Sequence, residues 1–501
     1  MGIGVNSHDM NRQQGMRIPM IHRLVLLCLL LILGGANSAA GKLNIVFILI
    51  DDMGWTDLGC YGSRYYETPN VDRLARQGMQ FSDAYAASCV CSPTRASILT
   101  GKYPGRLHIT HAIPIQGAER IKEPLPLLEA IYKKNLPLEE VTIAETLKDA
   151  GYVSASMGKW HVCWDREFYP EHQGFDLNVG GNNMGNPGNY FFPYNGKWRM
   201  TPKHPFTRWN TLPDGENGEY LTDRLTDEAV AFIEKNKERP FFVYLPHSMV
   251  HVPLYVSDKF KGRSGAGLFG DVMMEVDWSV GRILDTLRKH KLDKNTLVIF
   301  TADNGPWLSY GEHAGSAAPL REGKGTMFDG GCRESTLMWW PGTVPAGSVC
   351  STPAMTIDIL PTVAELIGAK LPEHKIDGKS IVNLVKGTSD KSPQEAYYFY
   401  YGKQLQAIRS GKWKLHFPHA YRTMAGRPGG KDGIPTAYSQ AKIGLSLFNL
   451  RKDIGETTDR KDRHPKVLAR LQALGQAMGR ELGDQGQKGS GQREPGRLAK
   501  R

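Results

Sequence analysis

Residues Asn44–Ile50 have the sequence NIVFILI, the clearest indication of the fold class in the chain. A continuous apolar run rich in β-branched residues is typical of a strand buried on both faces of a parallel sheet. Two similar runs follow at residues 241–245 (FFVYL) and 296–301 (TLVIFT), with a long helical pattern at 272–290 between them. Strands that alternate with helices predict an α/β fold, with a large, mostly parallel central sheet sandwiched by helices.

The rest of the chain divides by composition. We expect a catalytic α/β domain at residues 41–384 and a small C-terminal α+β subdomain with an antiparallel sheet at 385–483, followed by a disordered basic tail at 484–501. AYYFYY and KWKLHF are the strand patterns of that subdomain, and PKVLARLQALGQAMGREL is its closing helix. Residues 162–220 are rich in Gly, Asn and aromatic residues and lack periodicity. They are either a functional substrate loop or a plain surface insertion.

The first 40 residues have the pattern of an export signal. The apolar run 24–33, LVLLCLLLIL, follows Arg17 and Arg23, and small residues come after it at 36–40. This pattern predicts a cleavable signal peptide at 1–40 and a secreted or periplasmic protein. The run is short for a membrane span, so we expect no stable one, although a retained N-terminal anchor is the alternative.

Composition excludes several classes of protein. The chain has 501 residues, of which 41% are hydrophobic, so it is not a disordered protein. Its net charge of +11 favours an anionic partner. No compact Lys/Arg block with interleaved aromatics is present, so nucleic acid is not the expected partner. Seven cysteines are too few for a small disulfide scaffold, and their odd number leaves at least one unpaired.

Two predicted strands end in oxygen-bearing side chains. Asp51 and Asp52 follow the first strand, and Asp303 and Asn304 follow TLVIFTA. Ligands bind open α/β sheets outside the carboxyl ends of their strands. Oxygen-only donors suit a hard cation such as Ca²⁺ or Mg²⁺ rather than zinc. The alternative is that these residues only make turns and caps.

A cysteine opens a short predicted helix, TRASILT, which ends at Gly101. The sequence Cys91-Ser92-Pro93-Thr94-Arg95 leads into ASILTG. The positive end of a helix dipole at Cys91 favours a thiolate or an anion, and Arg95 adds a charge one turn later. A disulfide with Cys89 explains the cysteine equally well.

The motif C-x-P-x-R followed by A-S-x-L-T-G resembles the signature of the formylglycine-dependent type I sulfatases, in the arylsulfatase-like branch of the alkaline phosphatase superfamily. Further segments resemble family elements in the family's order, from about residue 43 to 460. They are NIVFILIDDMGWTDLGCYG, TPNVDRLARQGMQFSDAYA, MGKWH, HVPL, TADNG, GKGTMFDGG and SLFNLRKDIGE.

The resemblance implies a role for each matching residue. Cys91 would be oxidised co-translationally to formylglycine by a formylglycine-generating enzyme. The metal, usually Ca²⁺ in this family and less often Mg²⁺, would be held by Asp51, Asp52, Asp303, Asn304 and the hydrated residue 91. Arg95 would hold the aldehyde hydrate. Lys159 and His161 would bind sulfate and assist the second step, while His251 and Lys324 would contact sulfate and protonate the leaving oxygen. We add His313 and His247 as candidate substrate contacts.

The implied function is an exported sulfatase that hydrolyses aryl or, preferably, carbohydrate sulfate esters. Two alternatives stay open. One is a formylglycine-dependent phosphonate or phosphate ester hydrolase of the same superfamily, and the other is a non-catalytic protein that binds sulfated glycans. The substrate, the oligomeric state and any pairing among the remaining cysteines do not follow from the sequence. Those cysteines are Cys60, Cys89, Cys163, Cys332 and Cys350.

Overall fold

The strand predicted at residues 44–50 lies in the interior of a nine-stranded sheet. The structure is a computed structural model that describes Met1 and residues 42–113, 133–195, 209, 211–212, 214–485 and 487–493. The predicted signal peptide therefore lies, apart from Met1, outside the described residues. The strands of the large sheet are β1 (Asn44–Ile50), β2 (Met79–Tyr85), β3 (Val153–Met157), β4 (Leu177–Val179), β5 (Phe241–Pro246), β6 (Thr296–Ala302), β7 (Arg333–Trp339), β8 (Ser348–Cys350) and β9 (Ala354–Met355).

The large sheet is mostly parallel, as predicted. Its order is β4-β3-β5-β1-β6-β7-β2-β8, with β9 paired to β2. β1 runs parallel to both β5 and β6, and only β7 runs antiparallel to its neighbours β6 and β2. The helices of the described residues are α1 (Pro69–Gln77), α2 (Cys91–Thr100), α3 (Pro104–Leu107), α4 (Ile143–Asp149), α5 (Leu221–Asn236), α6 (Gly267–Lys289), α7 (Asp329–Cys332), α8 (Ile359–Ile367), α9 (Val382–Val385) and α10 (Pro465–Leu482).

Two hydrophobic cores, one on each face of the sheet, explain why β1 is apolar at every position after Asn44. Val46, Ile48 and Ile50 belong to the core that includes α1, α5 and α6. Ile45, Phe47 and Leu49 belong to the core that includes α2, α4 and α8. Successive side chains of a strand point to opposite faces, so a strand between two helical layers needs apolar residues throughout.

The C-terminal part forms the predicted antiparallel sheet. Its strands are β10 (Tyr397–Tyr401), β11 (Gln404–Ser410), β12 (Trp413–His416) and β15 (Ser446–Asn449), in that order. A separate hairpin consists of β13 (His419–Thr423) and β14 (Ser439–Ile443). The large sheet, the four-stranded sheet and the hairpin belong to one compact unit, residues 43–501.

Several local predictions differ from the structure. The amphipathic pattern of residues 138–150 predicts a helix over that range, but the helix begins at Ile143, because Thr142 and Glu145 form a capping box there. The insertion expected to lack regular structure contributes β4 to the sheet edge. Part of the segment expected to be disordered packs against the body: Gly491 accepts a hydrogen bond from Arg106, and Arg493 donates to Glu140.

Two further features concern the cysteines and the membrane. Every cysteine among the described residues is free, including Cys89 and Cys91, so the disulfide alternative for this pair is wrong for this structure. Within the part of the chain that the structure describes, no helix is both long and apolar enough to cross a membrane.

Candidate active site

The register of β1 and β6 brings the oxygen-bearing residues together. Ile50 pairs with Ala302, so Asp51 and Asp303 leave their strands side by side. The Asp303 amide donates to the Ile50 carbonyl at 3.0 Å, which extends the ladder by one residue. Asp52 then turns away with a φ of 59°, in the left-handed region that aspartate tolerates better than most residues.

Cys91 lies at the first position of α2, next to His161. Its Sγ is 3.3 Å from His161 Nδ1, and both side chains are buried. Burial raises the pKa of the Cys91 thiol, although the nearby Lys159 and Lys324 lower it. In the unmodified chain, Cys91 is therefore a neutral thiol, although positively charged side chains lie around it.

Arg95, one turn into the same helix, connects the two strand ends. Its Nε donates to Asp303 Oδ2 at 2.8 Å, its Nη2 to Asp51 Oδ2 at 3.2 Å and its Nη1 to the Lys159 carbonyl at 2.7 Å. The side chain is fully buried. Burial lowers the pKa of Arg95, but Asp303 and Asp51 outweigh this effect and raise it, so the guanidinium stays charged.

Two lysines complete the charged cluster. Lys159 contacts Asp51 Oδ2, and Lys324 Nζ lies 2.6 and 2.7 Å from the two carboxylate oxygens of Asp52. Asn304 Nδ2 also donates to Asp52 Oδ1, at 2.7 Å. Fixed cations and carboxylates thus alternate around one point, where an anionic group and a metal ion can bind next to each other.

The oxygen donors fit a hard cation. Asp51 Oδ1 and Asn304 Oδ1 are both buried and have no hydrogen-bond partner within the described residues. Buried polar atoms are nearly always satisfied, and an ion is one explanation when they are not. Three carboxylates and an amide oxygen are the donor types that Ca²⁺ and Mg²⁺ prefer. Ligand atoms of Asp51, Asp52 and His251 also lie within 4.8 Å of one another, so they form a second potential grouping.

The four histidines predicted as site residues fall into two groups, and two of them lie at the charged cluster. His161 Nε2 contacts the Ile113 carbonyl, and His251 Nδ1 lies 2.5 Å from the Val252 carbonyl. Burial holds the pKa of both rings well below the usual value, with Lys159 acting in the same direction at His161 and Lys324 at His251. Because a carbonyl only accepts, each neutral ring carries its proton on the nitrogen facing that carbonyl. His161 Nδ1 and His251 Nε2 are therefore acceptors facing the cluster.

The other two histidines do not join this cluster. His247 is fully buried, and its Nε2 contacts Ser279 Oγ of α6 at 3.2 Å. His313 is half-buried at the end of the segment Leu308–His313, where Gly433 approaches its ring. None of the contacts that the structure describes for His313 reaches the charged cluster.

Two neighbours of the cluster were not among the site residues predicted from the sequence. Trp307 has its ring centroid 4.6 Å from Lys324 Nζ and 5.6 Å from the His251 ring. Arg422, on β13, donates through Nε to the Lys324 carbonyl at 3.0 Å. Trp307 follows Asp303 closely enough to be found by extending that motif. No local signal marks Arg422, which is 98 residues from Lys324.

A cluster of this kind, at the carboxyl edge of a mostly parallel sheet, is typical of hydrolases that act on sulfate or phosphate esters. Comparison with known proteins narrows this class. The family model described as "Sulfatase" matches residues 43–369, and the model of the C-terminal region of aryl-sulfatase matches residues 392–494. The chain belongs to the sulfatase family and is a sulfuric ester hydrolase.

Individual relatives agree with this assignment. The chain is 37% identical to N-acetylgalactosamine-6-sulfatase of Canis lupus familiaris, over 76% of this chain and 73% of that protein. It is 34% identical to human arylsulfatase A, over 85% of each chain. Among solved structures, Ps i-CgsB in complex with k-i-k-neocarrahexaose matches with a TM-score of 0.68 and 28% identity, covering 87% of this chain and 92% of that one.

Proposed function

We propose that the protein is an exported carbohydrate sulfatase that uses a formylglycine made from Cys91 and a divalent metal ion. The observation that carries this proposal is the convergence of Cys91, Arg95 and Asp303 in one buried cluster. These residues come from a helix and a strand that lie about 200 residues apart in sequence.

The burial of Cys91 bears on its maturation. Only 2% of its surface is accessible in the folded chain. A formylglycine-generating enzyme therefore needs to reach this cysteine before the chain folds, which fits modification during synthesis and export. The hydrated aldehyde would supply two hydroxyls on one carbon, one to attack sulfur and one to expel sulfate as the aldehyde forms again.

The metal is expected to be Ca²⁺, with Mg²⁺ as the less favoured alternative. Its ligands would be Asp51, Asp52, Asp303, Asn304 and the modified residue 91. When bound, such an ion polarises sulfate oxygens and favours the alkoxide form of an attacking hydroxyl. Lys159 and Lys324 lie against Asp51 and Asp52, so they would flank a sulfate that shares this centre.

The hydrogen bonds of His161 suggest its part in the reaction. Its Nδ1 faces residue 91 as an acceptor, since Nε2 donates to the Ile113 carbonyl. A base at this position can take the proton of the hydroxyl that expels sulfate. Arg95 holds Asp51 and Asp303 in place and offsets the negative charge that builds up beside residue 91.

Lys324 is the better placed proton donor for the leaving oxygen. Burial lowers the pKa of Lys324, but Asp52 and the other acidic groups raise it overall, so the ammonium carries a proton to donate. Neutral His251 presents an unprotonated Nε2, because its Nδ1 donates to Val252. We therefore assign sulfate contact to both residues and protonation of the leaving oxygen first to Lys324, with His251 able to act once it is protonated.

The class of substrate rests on the relatives. Those with carbohydrate names or ligands include N-acetylgalactosamine-6-sulfatase and the neocarrahexaose complex. We propose a sulfated carbohydrate as the substrate and place the protein outside the cytoplasm, secreted or periplasmic, after signal cleavage.

The test compares ester classes on protein co-produced with a formylglycine-generating enzyme. Release of 4-nitrophenol from its sulfate and phosphate esters is measured beside sulfate release from sulfated sugars. We expect the sulfate ester to be the better aryl substrate, with sulfated sugars also hydrolysed. A preference for phosphate contradicts the proposal, as does binding of sulfated sugars without turnover.

A further inference from the structure

A half-buried arginine beside the active site has no counter-ion among the residues that the structure describes. The buried arginines Arg95, Arg106, Arg333 and Arg409 each pair with a carboxylate. Arg422 makes no ion pair with any residue that the structure describes. Its Nε and Nη2 both donate to the Lys324 carbonyl, and its guanidinium lies 4.5 Å from the centroid of the Tyr438 ring. The guanidinium is thus held in a fixed orientation, and no carboxylate among the described residues neutralises its charge.

Trp307 lies near both this arginine and the two predicted sulfate contacts, Lys324 and His251. The Arg422 guanidinium is 6.0 Å from the Trp307 centroid, and Lys324 Nζ and the His251 ring are closer still. Trp307 is only partly buried. If Lys324 and His251 contact the sulfate, the sugar that carries it must lie beside this ring. Aromatic rings with a few convergent polar groups are the usual lining of such pockets.

The segment between β13 and β14 is hydrogen-bonded to the segment that contains Trp307 and Ser309. Gly430 and Thr436 both donate their amides to the Ser309 carbonyl, at 2.9 and 2.8 Å. Because Ser309 is two residues after Trp307, these bonds fix the hairpin beside the ring. Arg422 and Trp307 are therefore held in one arrangement before substrate binds, which lowers the entropic cost of binding.

We propose that Trp307 and Arg422 form a subsite for a carbohydrate with a second anionic group, a sulfate or a carboxylate. The sugar bearing the scissile sulfate packs against Trp307, and Arg422 pairs with the second group on that sugar or on its neighbour. This inference rests on the proposed function and narrows it: the preferred substrate is a multiply charged saccharide, not a singly sulfated one.

The first test uses the wild-type protein and three probes. They are N-acetylgalactosamine 6-sulfate, its 4,6-disulfate, and a disaccharide in which the 6-sulfated sugar is joined to a uronic acid. We expect kcat/KM to be about tenfold or more higher for at least one doubly charged probe, as one charge-assisted hydrogen bond allows. The disulfate reports a sulfate partner and the disaccharide a carboxylate partner. Equal kcat/KM for all three overturns the proposal.

The second test uses variants of one hairpin. Arg422→Gln should lower kcat/KM for the preferred doubly charged probe about tenfold more than for the singly charged one, mainly through KM. Arg422→Lys, which keeps the charge, should retain most of the preference. Arg427→Gln is the matched control, since the hydrogen bonds of Arg427 within the described part of the chain go only to Met424, Ala437 and Ser439.

The outcomes separate the two proposals. A loss of equal size on every probe means that Arg422 acts only through the Lys324 backbone, and this overturns the subsite. If Arg422→Gln does not fold, the preference of the wild type and of Arg422→Lys still decides. Absence of sulfate release from every probe and from the aryl sulfate counts against the proposed function itself.

Discussion

Two buried groups of charged side chains differ in how completely their oxygens are satisfied. One is the active-site cluster, Asp51, Asp52, Asp303, Asn304 and their cations. The other, which we name the inter-sheet network, consists of Asp329, Arg333, Lys414, His416 and Glu456, and it joins the large sheet to the C-terminal sheet.

In the inter-sheet network, every carboxylate oxygen of Asp329 and Glu456 has a partner. Lys414 bonds to both residues at 2.7 and 3.1 Å, and the Asp329 amide donates to Glu456 at 2.7 Å. In the active-site cluster, Asp51 Oδ1 and Asn304 Oδ1 have none among the described residues. Carboxylates whose oxygens are all paired stabilise the fold, whereas buried oxygens without a partner beside fixed cations are candidates for holding an ion.

The largest expected effect comes from the side chain at residue 91. Cys91→Ala should lower kcat on an aryl sulfate by about 10³-fold or more, because it removes the side chain from which the proposed nucleophile is made, with little change in melting temperature. Cys89→Ala is the matched control, since Cys89 is also buried and lies two residues away. Steady-state kinetics decide the matter, and similar activities for both variants would show that residue 91 is not the nucleophile.

Chelation tests whether the oxygens that lack hydrogen-bond partners among the described residues, Asp51 Oδ1 and Asn304 Oδ1, hold a metal ion. Dialysis against a chelator should lower both activity, by roughly 100-fold or more, and melting temperature, because an ion that binds only the folded state stabilises it. Added Ca²⁺ should restore both quantities, and more effectively than Mg²⁺. An unchanged melting temperature together with full activity in metal-free protein would rule out this centre.

Lys414→Met tests whether the inter-sheet network stabilises the fold. It leaves Asp329 and Glu456 buried without their shared cation, so the free energy of unfolding should fall by about 3–5 kcal/mol. The folded fraction should still hydrolyse sulfate esters. Lys412→Met is the control, because Lys412 is exposed and lies over Trp413. Denaturant titrations that gave equal stabilities for the two variants would contradict the structural role of the network.

A smaller effect is expected at Gly185, which lies against the ring of His161. A Cβ at this position would be 2.9 Å from His161 Cε1, so Gly185→Ala should displace the imidazole and lower kcat roughly tenfold. Gly444 has nothing within 4 Å, which makes Gly444→Ala the matched control. Unchanged kcat in Gly185→Ala would indicate that the position of His161 tolerates displacement.

The sequence predicted those features of the fold that depend on one segment at a time. The apolar run at β1 was sufficient to predict a strand between two helical layers. The capping residues Thr142 and Glu145 were also present, but the hydrophobic pattern extended past them and the predicted helix began too early. β4 has three residues, too few for a periodic signal to appear.

The residues of the candidate site that belong to sequence motifs could be predicted. The contacts that these residues make with distant segments could not. Asp51 and Asp303 each ended a recognisable strand, and the resemblance supplied the remaining candidates, whose roles stay predictions. Nothing local shows that Arg422 bonds to the backbone of Lys324, or that Lys414 lies between Asp329 and Glu456. Such contacts arise when distant segments pack together, so they need the three-dimensional structure.

The most direct test of the account is mass spectrometry of the peptide that contains residue 91. The protein is purified from cells with and without a formylglycine-generating enzyme, and activity is measured on the same samples. We expect the thiol to be replaced by an aldehyde in the first sample, and activity to rise in proportion to the modified fraction. Full sulfatase activity in protein that holds only the unmodified Cys91 thiol would contradict it.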